Sequence, residues 1–420
     1  MTGLTRREFG AGAGATLAAV AASRVARAEA KPPVVVIGGG AGGATAARYL
    51  AREALDVTLV EAKQHYVTCF FSDLYLAGLR SLDSLTFGYD RLAQDEGIKI
   101  VHATAIGIDP VSKIVALDNG AKLSYERLVM SPGIAFKYGA IEGYDEAATA
   151  IMPHAWKAGP QTELLRKQIA AMEDGGIFVI VVPPDPYRCP PGPYERASLV
   201  AHYFRQKKPK SKIIVLDAKD AFTAQELFEE AWARRYPGII EWLPMQFTGG
   251  VKEIDVKRGL VVAADARFHA AVANIIPAQM AGHPAEMAGL TDESGWCPVD
   301  PVTFVSKLQP DIHVIGDAAI GGDMPKSAFS ANTQAKACAF AIAAALNGTP
   351  PAPPHLFNSC YTFLGPDDAF TNAFNFEPVD GKLKTADFDV SKVNATTEQR
   401  RRMAVEAADW YDAFMRDVFG

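Results

Sequence analysis

A glycine-rich segment near the start of the sequence has the spacing of a site that holds a nucleotide cofactor. Gly38, Gly40 and Gly43 form the pattern G-x-G-x-x-G, directly after the apolar run 33–37. The Ala-rich stretch 44–53 follows and predicts a helix. In such a strand–turn–helix unit, the first glycine permits a tight turn and the second lets a pyrophosphate approach the backbone at the helix start. The segment therefore predicts a dinucleotide-binding fold.

Acidic residues support this prediction at two places. The run 57–61 predicts a second strand, and Glu61 at its end can accept hydrogen bonds from the ribose hydroxyls of a nucleotide. Near the other end of the chain, Gly316 and Asp317 follow a short strand and precede an Ala-rich helix predicted over 330–346. This arrangement resembles the second motif of two-dinucleotide-fold flavoproteins, in which the aspartate holds the ribityl chain of FAD at a helix N-terminus.

A third motif lies between these two. Gly133, in the tripeptide S-P-G, follows a strand predicted over 127–130 and looks like the crossover motif of the same flavoprotein class. The glycine fingerprint alone does not separate FAD from NAD, but three motifs in this order favour FAD. The residues predicted to bind this cofactor are Gly38, Gly40, Gly43, Glu61, Gly133, Gly316 and Asp317.

The sequence contains five cysteines whose positions exclude the common short-range dithiol sites. They are Cys69, Cys189, Cys297, Cys338 and Cys360. No C-x-x-C or C-x4-C pattern occurs, so a redox disulfide, if one forms, joins distant segments. The eight histidines are scattered without the spacing of metal ligands, so no metal site is predicted.

Residues 151–280 carry a second α/β pattern that lacks the glycines of a nucleotide site. The apolar runs 177–182 and 213–217 predict buried parallel strands, with a helix over 195–205 between them. The loop after the first of these strands is rich in proline, which has no backbone N–H to give to a phosphate. We therefore expect this part to keep the nucleotide-binding fold without an NAD(P)H site.

Cys189 lies in the middle of this proline-rich loop. The prolines around it are Pro183, Pro184, Pro186, Pro190, Pro191 and Pro193. A free cysteine is most often a small buried residue, but a loop that prolines make rigid favours a fixed and functional side chain. Glu195 begins the helix after the loop, where a carboxylate either moves a proton or interacts with the positive end of the helix dipole.

The composition is that of a folded globular protein with more than one domain. The chain has 420 residues, of which 49% are hydrophobic and 21% are charged. Its formal net charge of −6 gives no electrostatic reason to bind nucleic acid. After residue 30, no apolar run has the length of a membrane-spanning helix. Neither a nucleic-acid partner nor a transmembrane anchor is therefore expected.

Residues 1–30 have the three regions of an export signal. Arg6 and Arg7 precede a Gly/Ala-rich apolar run over 10–22, and residues 28–30 read A-E-A, as at a cleavage site. The paired arginines favour the twin-arginine route, which exports proteins that are already folded and hold their cofactor. An amphipathic helix with a chance pair of arginines is the alternative. The signal predicts a periplasmic protein.

The composition changes after residue 347, where a proline-rich stretch precedes a segment rich in aromatic residues. The last helix, predicted over 397–418, has an apolar face that includes Trp410 and Phe414. One interpretation of this face is packing in the protein core. The other is a surface for a partner subunit, with Trp410 near the cofactor. The chain contains no C-x-x-C-H, so any haem belongs to a separate chain.

These patterns predict an α/β fold with two dinucleotide-binding (Rossmann-like) domains, followed by a C-terminal α+β interface domain. The arrangement is similar to that of flavoproteins of the disulfide-reductase type. The predicted divisions are the signal peptide 1–30, the FAD-binding domain 31–150 and 281–347, the second nucleotide fold 151–280, and the interface domain 348–420.

The whole chain resembles the flavoprotein subunits of flavocytochrome c sulfide dehydrogenases. The segments that carry the resemblance are the leader 1–30, the glycine fingerprint 38–43, H-Y-V-T-C at 65–69, R-C-P-P-G-P-Y-E at 188–195, Gly316-Asp317, N-S-C-Y at 358–361 and D-V-F-G at 417–420. The proline-rich loop is the most specific of these. Membrane sulfide:quinone oxidoreductases share the fold and the chemistry, but not that leader or loop.

The resemblance implies roles for three of the cysteines. Cys69 matches a cysteine that binds the 8α-methyl group of FAD through a thioether. Cys189 and Cys360 match a pair that forms a redox-active disulfide against the flavin ring. Glu195 matches a position that moves a proton or positions the substrate. For the two remaining cysteines, Cys297 and Cys338, a structural role is favoured.

The resemblance also implies an activity and a partner. Sulfide would be oxidised at the disulfide, and the electrons would pass through FAD to a cytochrome c subunit that forms a heterodimer with this chain. A sulfide:quinone oxidoreductase is the first alternative. The second is a non-catalytic flavoprotein partner of a sulfur-oxidation complex, which would keep the FAD motifs without sulfide-driven reduction of the flavin.

Overall fold

Strands and helices alternate in the two parts of the chain where the apolar patterns predict it, whereas residues 99–136 and 251–281 contain successive strands without an α-helix between them. The computed structural model describes residues 31–420, so the export signal predicted over 1–30 lies outside the described residues. The strands are β1 (Pro33–Ile37), β2 (Asp56–Val60), β3 (Tyr66–Val67), β4 (Thr86–Phe87), β5 (Lys99–Val101), β6 (Ala105–Asp109), β7 (Ile114–Leu117), β8 (Lys122–Ser124), β9 (Arg127–Met130), β10 (Ile134–Phe136), β11 (Ile177–Val182), β12 (Lys212–Asp217), β13 (Ile240–Leu243), β14 (Val251–Asp255), β15 (Leu260–Ala263), β16 (Arg267–His269), β17 (Val272–Ile275), β18 (Gln279–Ala281), β19 (Ile312–Val314), β20 (Leu356–Gly365), β21 (Asp368–Val379) and β22 (Lys382–Val390). The α-helices are α1 (Ala41–Arg52), α2 (Ser72–Leu76), α3 (Asp90–Glu96), α4 (Pro160–Ala171), α5 (Gly192–Lys207), α6 (Gln225–Arg235), α7 (Met245–Thr248), α8 (His283–Met287), α9 (Ala328–Leu346) and α10 (Thr397–Phe419).

A five-stranded parallel sheet carries the first glycine motif. Its strand order is β19-β9-β1-β2-β5, and each neighbouring pair is parallel. All residues of β1 after Pro33 are buried, as expected for a parallel strand covered on both faces. Because β1, β9 and β19 end at the same edge, the turns that contain Gly38, Gly133 and Gly316 lie at the carboxyl ends of neighbouring strands.

The second nucleotide fold is a smaller parallel sheet in the order β13-β12-β11-β17. The six residues of β11 are almost all buried, which agrees with the apolar run predicted over 177–182. Helix α5 connects β11 to β12, so β11, α5 and β12 form the β-α-β unit that the sequence predicts.

A three-stranded antiparallel sheet, β20-β21-β22, and the long helix α10 make up the C-terminal part of the chain. Strand β20 packs against α5 and α9, and α10 packs against β21 and α1. Residues 33–420 belong to one packed unit, and the predicted limits between its domains stay predictions. Among the helices of residues 31–420, none combines the length and apolar composition that crossing a membrane requires.

Three predicted helices begin earlier in the structure than in the sequence prediction. The helices predicted over 44–53, 195–205 and 330–346 are found at Ala41–Arg52, Gly192–Lys207 and Ala328–Leu346. The first turns of two of them contain glycine or proline, which apolar periodicity does not mark as helical. Proline is nevertheless well suited to a first turn, because its missing N–H would have no partner inside the helix.

Candidate active site

A cavity of about 740 Å³ lies at the carboxyl edge of the five-stranded sheet, between that sheet, the loop before α5 and strand β20. It brings together segments from the whole described chain. The predicted site residues that line it are Gly38, Gly40, Glu61, Cys69, Gly133, Cys189, Glu195, Gly316, Asp317 and Cys360. Gly43 is the predicted site residue outside this lining. The sequence prediction therefore converges on one place in the fold.

The glycine turn has no room for side chains at its first and third glycines. Gly38 has a φ of +97°, and a Cβ on it would lie 2.2 Å from the backbone oxygen of Ser131. A Cβ on Gly43 would lie 1.7 Å from the backbone oxygen of Gly38. Gly43 thus acts behind the turn, where it lets α1 pack against the end of β1. Gly40 faces the cavity, so its backbone is open to a phosphate group.

Glu61 is held in place by backbone donors. Its Oε2 accepts a hydrogen bond of 2.7 Å from the N–H of Gly39, and its Oε1 accepts one of 3.0 Å from the N–H of Lys63. Each carboxylate oxygen keeps a further lone pair. The residue therefore joins the glycine turn to the end of β2, and it can still accept from ribose hydroxyls.

Asp317 provides the sharpest test of whether the cavity suits FAD. Its Oδ1 is buried and has no hydrogen-bond partner among the described residues. Its Oδ2 lies 3.7 Å from a guanidinium nitrogen of Arg188. Burial raises the pKa of this carboxyl, against the effects of Arg188 and Lys326. A buried acceptor without a partner is costly, and the hydroxyls of a ribityl chain would satisfy it. The residues of the cavity therefore fit FAD.

The loop that carries Cys189 is fixed from several sides. Cys189 has a φ of +58°, in the left-handed region, and its N–H donates to the backbone oxygen of Lys326 at 2.8 Å. A Cβ on Gly192 would lie 2.7 Å from the Trp156 ring and 3.0 Å from Cys189 Sγ. The Lys326 ammonium in turn donates to the backbone oxygens of Asp317 and Ala319. The loop and the cofactor motif are thus connected through one lysine.

Cys360 reaches the same cavity from strand β20. It lies half-buried, and burial raises the pKa of its thiol to about 11. Burial also raises the pKa of the Cys189 thiol well above its ordinary value, with Glu195 as the next cause. All five cysteines are free thiols in this structure, so the predicted Cys189–Cys360 bond is not formed in it. The two thiols nevertheless line one cavity, although they lie far apart in sequence.

Glu195 lies between the two cysteine segments. It is only 7% exposed, and its Oε1 accepts a hydrogen bond of 2.8 Å from the backbone N–H of Phe363 on β20. Burial, together with the neighbouring Asp73, raises the pKa of Glu195 to about 8. A carboxyl group with this pKa exchanges protons near neutral pH, as a general acid or base must.

Cys69 lines the cavity beside an aromatic cluster. The neighbouring Phe70 contacts Trp410 and Phe414 of α10, with ring centroids 6.1 and 5.5 Å apart. Trp410 is half-buried and lines the cavity, and its Nε1 has no hydrogen-bond partner among the described residues. Trp410 therefore packs against the aromatic cluster and also forms part of the cavity wall.

The sequence prediction missed a buried ion pair in the cavity wall. The side chains of Asp73 and Arg196 are paired at 2.7 Å, and both are almost fully buried. Arg196 also donates to the side chain of Asn274 at 2.8 Å and to the backbone oxygen of Ala155 at 3.0 Å. Arginine 196 follows Glu195 directly, but nothing in the sequence marks the distant Asp73 as its partner.

In the second nucleotide fold, the acidic residue at the end of the second strand is hydrogen-bonded to other side chains of the protein. Asp217 at the end of β12 is buried, and it accepts hydrogen bonds from Tyr194, Lys219 and Trp242. Tyr194 stacks on Phe222 with ring centroids 3.7 Å apart. An acid at the end of the second strand usually serves the ribose. Here its oxygens accept hydrogen bonds from the protein itself, and the absence of an NAD(P)H site stays a prediction.

Residues 31–420 contain no group of three His, Cys, Asp or Glu side chains placed to hold a metal ion.

Three family models match successive parts of the chain. Pyridine nucleotide-disulphide oxidoreductase matches residues 32–171. Sulfide dehydrogenase (flavocytochrome c) flavoprotein chain, central, matches residues 162–277, which contain Cys189 and Glu195. Flavocytochrome c sulphide dehydrogenase, flavin-binding, matches residues 352–419, which contain Cys360.

Individual relatives agree with the fold. The mitochondrial sulfide:quinone oxidoreductase of Mus musculus is 24% identical over 289 residues, and the match spans 66% of this chain and 63% of the mouse protein. The solved sulfide:quinone oxidoreductase of Aquifex aeolicus superposes with a TM-score of 0.73 at 18% identity, covering 92% of this chain and 91% of that one. An NAD-dependent persulfide reductase from A. fulgidus gives 0.61 at 18% identity, covering 90% and 76%.

The raised pKa of Glu195 predicts a dependence of stability on pH. Because native Glu195 holds its proton up to about pH 8, whereas the unfolded chain releases it near pH 4.5, the native state binds more protons between these values. The free energy of unfolding of the wild type should therefore fall relative to that of Glu195→Gln as pH rises from 5 to 8, by at most about 1.4 kcal/mol per pH unit. Glutamine can still accept from Phe363.

Urea unfolding at several pH values measures this difference. Glu398→Gln, at a highly exposed carboxylate, is the matched control and should run parallel to the wild type. If the Glu195→Gln curve also runs parallel, the pKa of Glu195 is not raised in the native protein.

Proposed function

The chain belongs to the family of flavocytochrome c sulfide dehydrogenase flavoprotein chains, and we propose that it oxidises hydrosulfide at Cys189 and Cys360, with FAD as the electron acceptor in the same cavity. The observation that carries this proposal is the presence of both thiols in the wall of a cavity whose glycines and aspartate suit FAD. A non-catalytic flavoprotein, the alternative, would not need two cysteines and a carboxyl group with a pKa of about 8 in this cavity.

The sulfur chemistry begins with Cys189 and Cys360 joined as a disulfide. Hydrosulfide attacks one sulfur, so one S–S bond breaks and another forms, and the products are a cysteine persulfide and a cysteine thiolate. A second hydrosulfide ion then takes the outer sulfur and leaves as a hydrogen disulfide ion, which releases a proton and frees the second cysteine thiolate. Re-forming the disulfide from the two thiolates requires a two-electron acceptor, which a bound flavin would supply. Each cycle therefore removes two electrons in total from two hydrosulfide ions.

Different residues of the cavity would bind different parts of the cofactor. Gly38 and Gly40 keep the backbone open to its phosphates, Glu61 would accept from its ribose, and Asp317 would accept from its ribityl hydroxyls. FAD supplies a two-electron acceptor that can release electrons one at a time, which suits a haem partner. Glu195 takes or returns a proton beside Cys189, because its pKa lies close to neutral pH.

We assign Cys69 as the covalent attachment point of the cofactor. It lines the cavity together with Phe70 and Trp410. The family resemblance supports a thioether to the 8α-methyl group of the flavin. A covalent bond would keep the cofactor in the protein whatever its redox state.

We further propose that the electrons leave to a cytochrome c subunit on a separate chain and that the protein works in the periplasm after export through residues 1–30. The family name supports the cytochrome partner, and the paired arginines support folded export. A quinone is the competing acceptor, and it is favoured by the resemblance to the mouse enzyme.

Replacing Cys189 by Ser should abolish sulfide-driven reduction of the flavin while leaving the flavin bound, because the serine hydroxyl cannot form a disulfide. The measurement is an anaerobic titration with sulfide, followed by the flavin absorbance. Cys338→Ser is the matched control, since Cys338 is buried in α9 and does not line the cavity. It should behave as the wild type. Unchanged flavin reduction in Cys189→Ser would contradict the mechanism.

The same titration identifies the acceptor. Addition of a cytochrome c to the sulfide-reduced protein should restore the flavin absorbance faster than addition of a soluble quinone. A preference for the quinone would assign the chain to the competing activity, although the sulfur chemistry would stand.

Cys69→Ala should turn a covalent flavin into a dissociable one. Acid precipitation of the wild type should leave the yellow colour with the protein pellet, because a thioether survives denaturation. Precipitation of Cys69→Ala should leave the flavin in the supernatant, whereas Cys297→Ser, changed at another buried thiol, should match the wild type. Flavin that separates from the unmodified protein would remove Cys69 from its assigned role.

A further inference from the structure

The two cavity thiols have different polar neighbours, and this difference carries an inference that rests on the proposed function and deepens it. Cys360 Sγ lies 3.7 Å from both Nδ2 and Oδ1 of Asn358, two residues earlier on β20, so the distances alone do not say which end of the amide serves the sulfur. Asn358 is 2% exposed, so water does not compete for this contact. An amide N–H that faces a sulfur stabilises the thiolate more than the thiol.

Two serines determine which end of the Asn358 amide faces Cys360. The Asn358 Oδ1 accepts from the hydroxyl of Ser327 at 2.6 Å and from that of Ser330 at 3.1 Å. Ser327 is itself held, because its oxygen accepts the N–H of Ser330 and caps helix α9. With Oδ1 occupied by two donors, Nδ2 is the end left to donate to Cys360.

The causes that act on the pKa of the Cys189 thiol all raise it. Burial is the first cause that raises the pKa of its thiol, and the negative charge of Glu195 is the second. For Cys360, burial raises the pKa, but the side chains of Asn358 and Ser327 lower it. The negative charge of Glu195 raises the pKa of the Cys360 thiol as well, but as the smallest of its causes. Both cysteines lie beside the start of a helix, α5 for Cys189 and α9 for Cys360, so the helix dipole does not distinguish them.

We propose that Asn358, oriented by Ser327 and Ser330, is a positioning residue that makes Cys360 the leaving thiolate, so that the substrate sulfur is received by Cys189. Hydrosulfide attacks Cys189 Sγ, the new S–S bond forms there, and the electron pair of the broken bond goes to Cys360. A disulfide releases the better-stabilised thiolate faster. The persulfide then lies beside Glu195, whose carboxyl group is placed to exchange a proton with it.

The test locates the substrate sulfur directly. Oxidised protein is mixed anaerobically with hydrosulfide, quenched in acid within one turnover, alkylated and digested, and mass spectrometry compares the Cys189 and Cys360 peptides. In the wild type, the extra sulfur should be on Cys189 in about tenfold excess. In Asn358→Asp this excess should fall by about tenfold, because a carboxylate replaces the donor. Asn375→Asp, an exposed position on the neighbouring strand β21, should match the wild type.

The outcomes separate the inference from the proposed function. Extra sulfur on Cys360 in the wild type, or an unchanged excess in Asn358→Asp, would overturn the inference while sulfide oxidation by the cysteine pair stands. If sulfide reduces no flavin in the same samples and neither peptide gains sulfur, the proposed function fails and the inference fails with it.

A second measurement does not depend on turnover. In a Cys189→Ser background, the rate at which iodoacetamide alkylates Cys360 at about pH 9 reports its thiolate fraction. Asn358→Asp should lower this rate about tenfold, and Asn375→Asp should leave it unchanged. Equal rates in all three proteins would show that Asn358 does not act on Cys360, which would overturn the proposal.

Discussion

The hydrogen bond from the Phe363 backbone to the Glu195 carboxyl joins the two chain segments that carry the reactive cysteines. Phe363 belongs to the same strand as Cys360, and Glu195 lies in the first turn of the helix that follows the Cys189 loop. The bond is buried, and its acceptor has few other partners, so the strand and the helix start keep a fixed register. This docking brings Cys360 into the wall of the cavity that Cys189 lines, and it buries Glu195, whose pKa burial raises although the Phe363 N–H itself lowers it.

The sequence predicted the parts of the site that belong to local motifs. The fingerprint glycines, Glu61 and Asp317 are recognisable because each follows a strand at a spacing that the dinucleotide fold requires. Cys189 is recognisable because prolines surround it. These residues all reached the cavity or, for Gly43, the turn that supports it. The parallel strands were also predicted well, since buried strands are continuous apolar runs.

Other parts of the site arise only when distant segments pack together. Asp73 and Arg196 form a buried pair across more than one hundred residues, and Lys326 joins the Cys189 loop to the cofactor motif through backbone groups. Neither contact has a periodic or spaced signal. Two helix starts were also missed by three residues each, because glycine and proline in a first turn carry no apolar pattern. The role of Cys360 came from resemblance, since its strand gives no local sign of redox chemistry.

The second nucleotide fold has a parallel sheet, but the groups that would hold a nucleotide there are engaged by the protein or missing. The loop after β11 has prolines and no phosphate-binding glycine pattern, and Asp217 at the end of β12 accepts from Tyr194, Lys219 and Trp242. The same loop holds Cys189 with a φ in the left-handed region, next to Gly192. The proline-rich sequence therefore accounts both for the missing glycine pattern and for the fixed position of the thiol.

A non-reducing peptide map of the oxidised protein tests the central claim most directly. Alkylation under denaturing conditions, followed by proteolysis and mass spectrometry, shows which cysteines were bonded. The account predicts one cross-linked pair of peptides that contains residues 189 and 360, with Cys297 and Cys338 recovered as alkylated thiols. Recovery of both Cys189 and Cys360 as alkylated thiols from fully oxidised protein would contradict it.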